Sequence, residues 1–161
     1  MFNLKIAFYL KLIFLISAVA IISAYYFEYI LGYQPCNLCL IERIPYILSL
    51  VILSVNFKFN KNEKYLILLL FFIFIFSLTV SIYHFGIEKG FIQESLLCNL
   101  KNGADILSKE ELLVLLQQKI VSCKDVTFRI FGLSLSFINI LISFILTILL
   151  TKIFITYEKI K

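Results

Sequence analysis

Pro35-Cys36-Asn37-Leu38-Cys39-Leu40-Ile41-Glu42-Arg43 runs directly into Ile44-Pro45-Tyr46-Ile47-Leu48-Ser49-Leu50-Val51-Ile52-Leu53-Ser54-Val55-Asn56-Phe57. The second part is a continuous apolar run, without the alternation of a strand, and it reads as a helix that crosses a bilayer. From Ile44 to Phe57 it supplies only about 21 Å of helix, against the roughly 30 Å of hydrocarbon to be spanned. The helix must therefore begin earlier, near the cysteines. Arg43 then falls at the outer edge of the hydrocarbon or in the headgroup zone. A cation there costs less than the roughly 2.5 to 3.5 kcal/mol assigned at mid-membrane.

The rest of the chain has the same character. Of its 161 residues 61% are apolar, with only two prolines and five glycines, and the mean hydropathy is +0.99. A soluble domain is excluded on composition. Four apolar stretches, near Leu12 to Leu31, Leu38 to Phe57, Tyr65 to Ile87 and Ile130 to Thr151, are each long enough to span. Their continuity argues against barrel strands. The expected fold is an all-α membrane protein, a four-transmembrane-helix bundle forming one integral membrane domain over residues 1–161. A cleaved signal peptide ending near Ala18-Val19-Ala20 is the competing reading of the first stretch, but the apolar character continues through Ile21, Ile22, Tyr25, Tyr26 and Phe27, which suits a full span.

Charge orients the bundle. Lys5 and Lys11 lie at the start, Lys58, Lys61 and Lys64 crowd the second loop, and Lys152, Lys159 and Lys161 follow the last span. Basic loops face the cytoplasm, so both termini are expected there. Across the membrane lie a short loop around Gly32 to Pro35 and a long one from about Glu88 to Arg129, in which six basic residues balance six acidic ones. The net charge of +5 is thus mostly topological, and nucleic acid is not an expected partner, since the lysines form no single basic face. Tyr25, Tyr26, Tyr29 and Tyr33 read as an interfacial aromatic belt.

All four cysteines fall on the outer side of this topology: Cys36 and Cys39 at the start of the second span, Cys98 and Cys123 in the long loop. That distribution suits an oxidising compartment. Three readings compete: structural disulfides, a four-thiolate zinc site, and a redox-active pair of pairs. Joining Cys98 to Cys123 would contribute about 3.5 kcal/mol by loop closure, whereas the ring closed by Cys36 and Cys39 is too small to gain much. Zinc usually draws on two close-spaced knuckles, and here one pair is separated by 24 residues. Redox chemistry explains the C-x-x-C pair best. Cys39 and Arg43 stand at i and i+4, on one helix face. A guanidinium there would stabilise a Cys39 thiolate, helped by the positive end of the helix, or donate hydrogen bonds to a carbonyl-bearing acceptor such as a quinone. The competing role for Arg43 is a snorkelling interfacial arginine. Glu42 is read as balancing Arg43 or capping the segment, and Pro45 as a first-turn residue or a kink.

These residues resemble the DsbB family of bacterial disulfide-bond formation proteins: the nonapeptide at 35–43, four spans, and a second cysteine pair in the long outer loop. Phe131-Gly132-Leu133-Ser134-Leu135-Ser136 is also similar to the family's approach to the last helix, with Ser136 where a proline is usual. A relay of DsbA, DsbB and quinone keeps the bacterial periplasm oxidising. The resemblance implies an enzyme of the cytoplasmic (inner) membrane, its redox loops periplasmic, that reoxidises a DsbA-like thioredoxin-fold oxidase. Electrons would pass to the membrane quinone pool, ubiquinone or menaquinone. It further implies redox disulfides Cys36–Cys39 and Cys98–Cys123, with Cys98 exchanging with the partner, Cys123 linking transiently to Cys36, and Cys39 facing the quinone beside Arg43. His84, the chain's one histidine, would lie near that quinone. No metal is implied. Two alternatives stand beside this reading. One is a non-catalytic membrane module with stapled loops. The other is a vitamin K epoxide reductase-like protein, in which the loop cysteines precede the C-x-x-C pair; here they follow it.

Within the long loop, Ser108-Lys109-Glu110-Glu111 has the form of a capping box, opening a short amphipathic helix through about Lys119 with Leu112, Leu113, Leu116 and Ile120 on one side. It is expected to lie on the outer membrane surface. Gly86, Gly90 and Gly103 are expected to lend this region mobility.

Overall fold

The computed structural model describes residues 4–59, 63–93, 123–124, 129–130 and 132–160. Cys98, Gly103 and the amphipathic segment from Ser108 to Lys119 lie outside the described residues. Helix α1 (Leu4–Tyr25) continues into one wide π-helical stretch (Tyr26–Ile30), followed by α2 (Asn37–Phe59), α3 (Glu63–Glu88), a two-stranded ladder of β1 (Arg129–Ile130) and β2 (Leu133–Ser134), and α4 (Leu135–Ile160). Four segments, Ile6–Ile30, Asn37–Lys58, Lys64–Glu88 and Leu135–Glu158, are long and apolar enough to cross a membrane. Because successive helices reverse direction, the end of α1, the start of α2, the end of α3 and the start of α4 meet at one end.

The helices are apolar nearly all round, as lipid-facing helices must be. Phe8, Leu15 and Ile22 of α1 and Phe72 and Phe76 of α3 face outward. Inward, Leu10 and Ile13 pack with Leu53, Leu70, Phe74, Leu146 and Leu150 in one core. Lipid is as apolar as leucine, so contact between helices is secured by close packing and small polar side chains. Ser49 of α2 donates to Ser17 of α1 at 3.0 Å, and Ser77 of α3 meets Ser143 of α4 at 2.9 Å. Pro45 lies inside α2, where it leaves the Ile41 carbonyl without its helical N–H.

Two expectations are corrected at the cysteine end. Ile130 and Leu133 do not open the fourth span. Arg129 pairs with Ser134 and Ile130 with Leu133 in an antiparallel ladder around Gly132, whose φ of 81° needs a glycine. The helix starts at Leu135 because Ser134 caps it: its Oγ accepts the Phe137 N–H at 3.3 Å. Ser136 donates to the Glu88 carboxylate, a bond that the proline expected at this position could not make. It ties the last turn of α3 to the first turn of α4.

Gly86 and Gly90 are also not loose. Gly90, at φ 76°, ends α3 in a Schellman motif. The Phe91 N–H reaches the Gly86 carbonyl at 2.9 Å and the Gly90 N–H reaches that of Ile87 at 3.0 Å. Gly86 itself has Ile92 where a side chain would go.

Candidate functional site at the cysteine end of the bundle

Helix α2 begins at Asn37, so Cys36 is its N-cap. Its Sγ accepts the Cys39 N–H at 3.3 Å, and its carbonyl takes the Leu40 N–H at 3.2 Å. Negative charge on Cys36 therefore sits at the positive end of a helix and on an N–H that has no partner within the helix. The sulfurs of Cys36 and Cys39 stand 2.7 Å apart, within reach of a disulfide. Cys36 is 6% exposed and Cys123 4% exposed, and both belong to one small buried cluster with Leu38 and Ile87. Cys39 packs against the same cluster. The chain thus brings a residue of the long loop onto the C-x-x-C pair across more than eighty positions of sequence.

Arg43, one turn below Cys39, points across to the end of α1. There its guanidinium pairs with the Glu28 carboxylate and lies 5.2 Å from the centre of the Tyr25 ring. The π-helical stretch carries Glu28. Such wide turns recur at functional sites. Tyr25 and Tyr29 stack on each other and are exposed, so Tyr25 joins the aromatic rim to the arginine.

His84 is buried on α3 with both ring nitrogens engaged. Nδ1 lies 2.9 Å from Glu42 Oε1 and Nε2 lies 3.6 Å from Cys36 Sγ. The other Glu42 oxygen accepts from Asn139 Nδ2 at 2.9 Å. The same amide donates to Ser81 Oγ at 2.8 Å, while Asn139 Oδ1 accepts from the Tyr46 hydroxyl. One hydrogen-bonded network thereby joins α2, α3 and α4 behind the dithiol.

Glu42 and Asn139 are the residues that sequence reasoning missed. A usable signal existed, since an ionisable side chain inside a span marks function by default. The proximity of Arg43 gave Glu42 a simpler explanation. Nothing in the local sequence of Asn139 pointed to Glu42.

A cavity of about 520 Å³ opens beside these groups, in the size range of small-molecule sites. Leu15, Val19, Ile138 and Ile142 form an apolar wall, and Cys36, Cys39, Arg43, His84, Asn139 and Cys123 line the polar side. The sulfurs of Cys36 and Cys39 and a ring nitrogen of His84 all lie within 4.8 Å of one another.

Fold and site together define a multi-pass membrane protein with a dithiol at the head of one span and a third cysteine packed against it. The family model for Disulfide bond formation protein DsbB matches residues 7–153, and the chain belongs to that family. It is also similar to the uncharacterized protein RP370 of Rickettsia prowazekii (strain Madrid E), at 31% identity over 139 residues, which cover 84% of this chain and 80% of that protein. No solved structure matches.

Proposed function

We propose that this protein is a quinone-dependent thiol oxidase that reoxidises a DsbA-like thioredoxin-fold dithiol partner and so sustains disulfide formation outside the cytoplasm. The observation that carries the reading is that Cys36, Cys39 and Cys123 border one cavity together with Arg43. A stapled module would have no use for a cavity at its disulfide.

The partner's dithiol attacks the loop disulfide Cys98–Cys123 and leaves with its own cysteines joined. The loop cysteines are now reduced, and the Cys123 thiolate attacks Cys36 Sγ. A Cys36–Cys123 bond forms, the Cys36–Cys39 bond breaks, and the electron pair departs on Cys39. Attack by Cys98 on Cys123 then restores the loop disulfide and leaves the C-x-x-C pair as a dithiol. Re-forming Cys36–Cys39 releases two electrons and two protons, so an acceptor is required. A bound quinone would supply two-electron acceptor chemistry.

The residues present fit such a group: an apolar wall for a ring and tail, Cys39 on the polar side, and the Arg43 guanidinium as hydrogen-bond donor to a carbonyl. The pairing of Arg43 with Glu28 holds that donor while leaving the pair neutral. The lysine-rich loops support an orientation with both termini in the cytoplasm of a bacterium and the cysteine end in the periplasm.

The test is oxidation of a purified DsbA-like dithiol by the protein in quinone-containing vesicles. Cys39→Ser should stop turnover; its Cys36 thiolate can still attack Cys123 of the loop disulfide and displace Cys98, so a Cys36–Cys123 disulfide should accumulate, visible by mass spectrometry. Turnover at the unmodified rate would end the reading.

A further inference from the structure

We propose that His84 is the proton acceptor and donor for Cys36 during its exchange with Cys123, and that Glu42 is the residue that positions it. The proposal rests on the thiol-exchange reading above and adds the proton chemistry of one sulfur.

A carboxylate only accepts hydrogen bonds, so Glu42 Oε1, 2.9 Å from Nδ1, requires the ring proton on Nδ1. In the neutral imidazole the lone pair is then on Nε2. That nitrogen lies 3.6 Å from Cys36 Sγ, where it can take the thiol proton. The carboxylate is itself locked, because its second oxygen receives Asn139 Nδ2 at 2.9 Å. With side chains only 7% and 9% exposed, His84 and Glu42 are shielded from water, and His84 reaches the Cys36 proton more directly than bulk water can.

The charge count suits a membrane edge. Before transfer the group holds one negative charge, on Glu42. After transfer Cys36 is a thiolate, His84 an imidazolium and Glu42 still a carboxylate, so the net charge is the same. The proton moves without placing an additional net charge in a poorly solvated site, the event that burial penalises most. The imidazolium lies between two anions, and the Cys39 N–H at 3.3 Å gives the thiolate a second donor.

In the exchange, Cys98 attacks Cys123, the Cys36–Cys123 bond breaks, and the electron pair stays on Cys36 Sγ beside the Nε2–H of His84. That proton can then pass to sulfur, yielding the thiol. In the opposite direction Nε2 removes it before Cys36 acts as nucleophile. No electrons leave the sulfurs in either step. The other ionisable groups bordering the cavity are Tyr33, Cys39, Arg43, Tyr46, Glu28, Glu88 and Cys123. Of these Arg43 is committed to Glu28 and Glu88 to Ser136, so neither competes for the imidazole.

The experiment uses the full chain in quinone-containing vesicles and measures oxidation of a thioredoxin-fold dithiol from about pH 5.5 to 8.5, the range around which an imidazole changes charge. The wild type should vary little. His84→Gln should be about a hundredfold slower at neutral pH, the lower end of the range lost when a general acid or base is removed. Its rate should climb with pH as hydroxide replaces the imidazole, with the quinone requirement unchanged. Glu42→Gln should show the same change of profile and Glu42→Asp should restore part of it; these two variants carry the test should His84→Gln fail to fold. Variant profiles parallel to the wild type, or a loss expressed wholly as a raised quinone requirement, would overturn the proposal. Absence of wild-type turnover would overturn the underlying function with it, whereas wild-type turnover matched by the variants overturns the proton role alone.

Discussion

Asn139 should stabilise this protein more than any other single polar residue of α4. Its amide donates to Glu42 Oε2 at 2.9 Å and to Ser81 Oγ at 2.8 Å, and its carbonyl accepts from Tyr46. Asn139→Ala removes all of these at once. Interhelical hydrogen bonds within membranes average about 0.6 kcal/mol and reach about 1.7. The bond to the carboxylate belongs at the upper end, because charged partners make stronger bonds. Partial compensation is built in: Tyr46 retains Ser143 at 3.1 Å and Ser81 retains the Ser77 carbonyl at 2.8 Å. The expected loss is therefore about 2 to 3 kcal/mol, or roughly 5 to 10 °C in Tm on the scaling of domains of this size. Thermal unfolding in detergent, followed by helical circular dichroism, measures the shift. A double-mutant cycle with Glu42→Gln then isolates the Asn139–Glu42 bond and should return a coupling of about 1 kcal/mol. A Tm within about 1 °C of wild type, or single effects that add within about 0.5 kcal/mol, would refute the network.

Two further outcomes follow from the same geometry. Arg43→Ala should raise the apparent quinone requirement in the vesicle assay, and Glu28→Gln should do so more weakly by loosening the guanidinium; an unchanged dependence would return Arg43 to an interfacial snorkelling role. Ser136→Ala should cost about 1 kcal/mol by removing a donor from the Glu88 carboxylate, read as a lower Tm, and an unaltered Tm would show that the junction of α3 and α4 is held by other contacts.

Among the described residues, the four long apolar helices were legible in the chain because hydrocarbon thickness and apolar run length are both local quantities. Span-length arithmetic alone required α2 to begin near the cysteines, and it begins at Asn37. The start of α4 was less legible: Ile130 and Leu133 are as apolar as any span residue, and only the turn at Gly132 with the Ser134 cap defers the helix to Leu135. Gly86 and Gly90 look mobile by composition, yet a helix cap and a close packing contact occupy them.

The sequence by itself determined that a bilayer is the solvent, that helices are the response, and that Cys36 and Cys39 head one of them, since each follows from residue type and spacing along a single segment. Tertiary structure decided which polar groups meet. Glu42, His84 and Asn139 come from three different helices, and their contact depends on how each helix is rotated about its own axis. That rotation is set by packing across the whole bundle, through small residues such as Ser17, Ser49, Ser77 and Ser143. In a helix that is apolar on every side, no local pattern reports it.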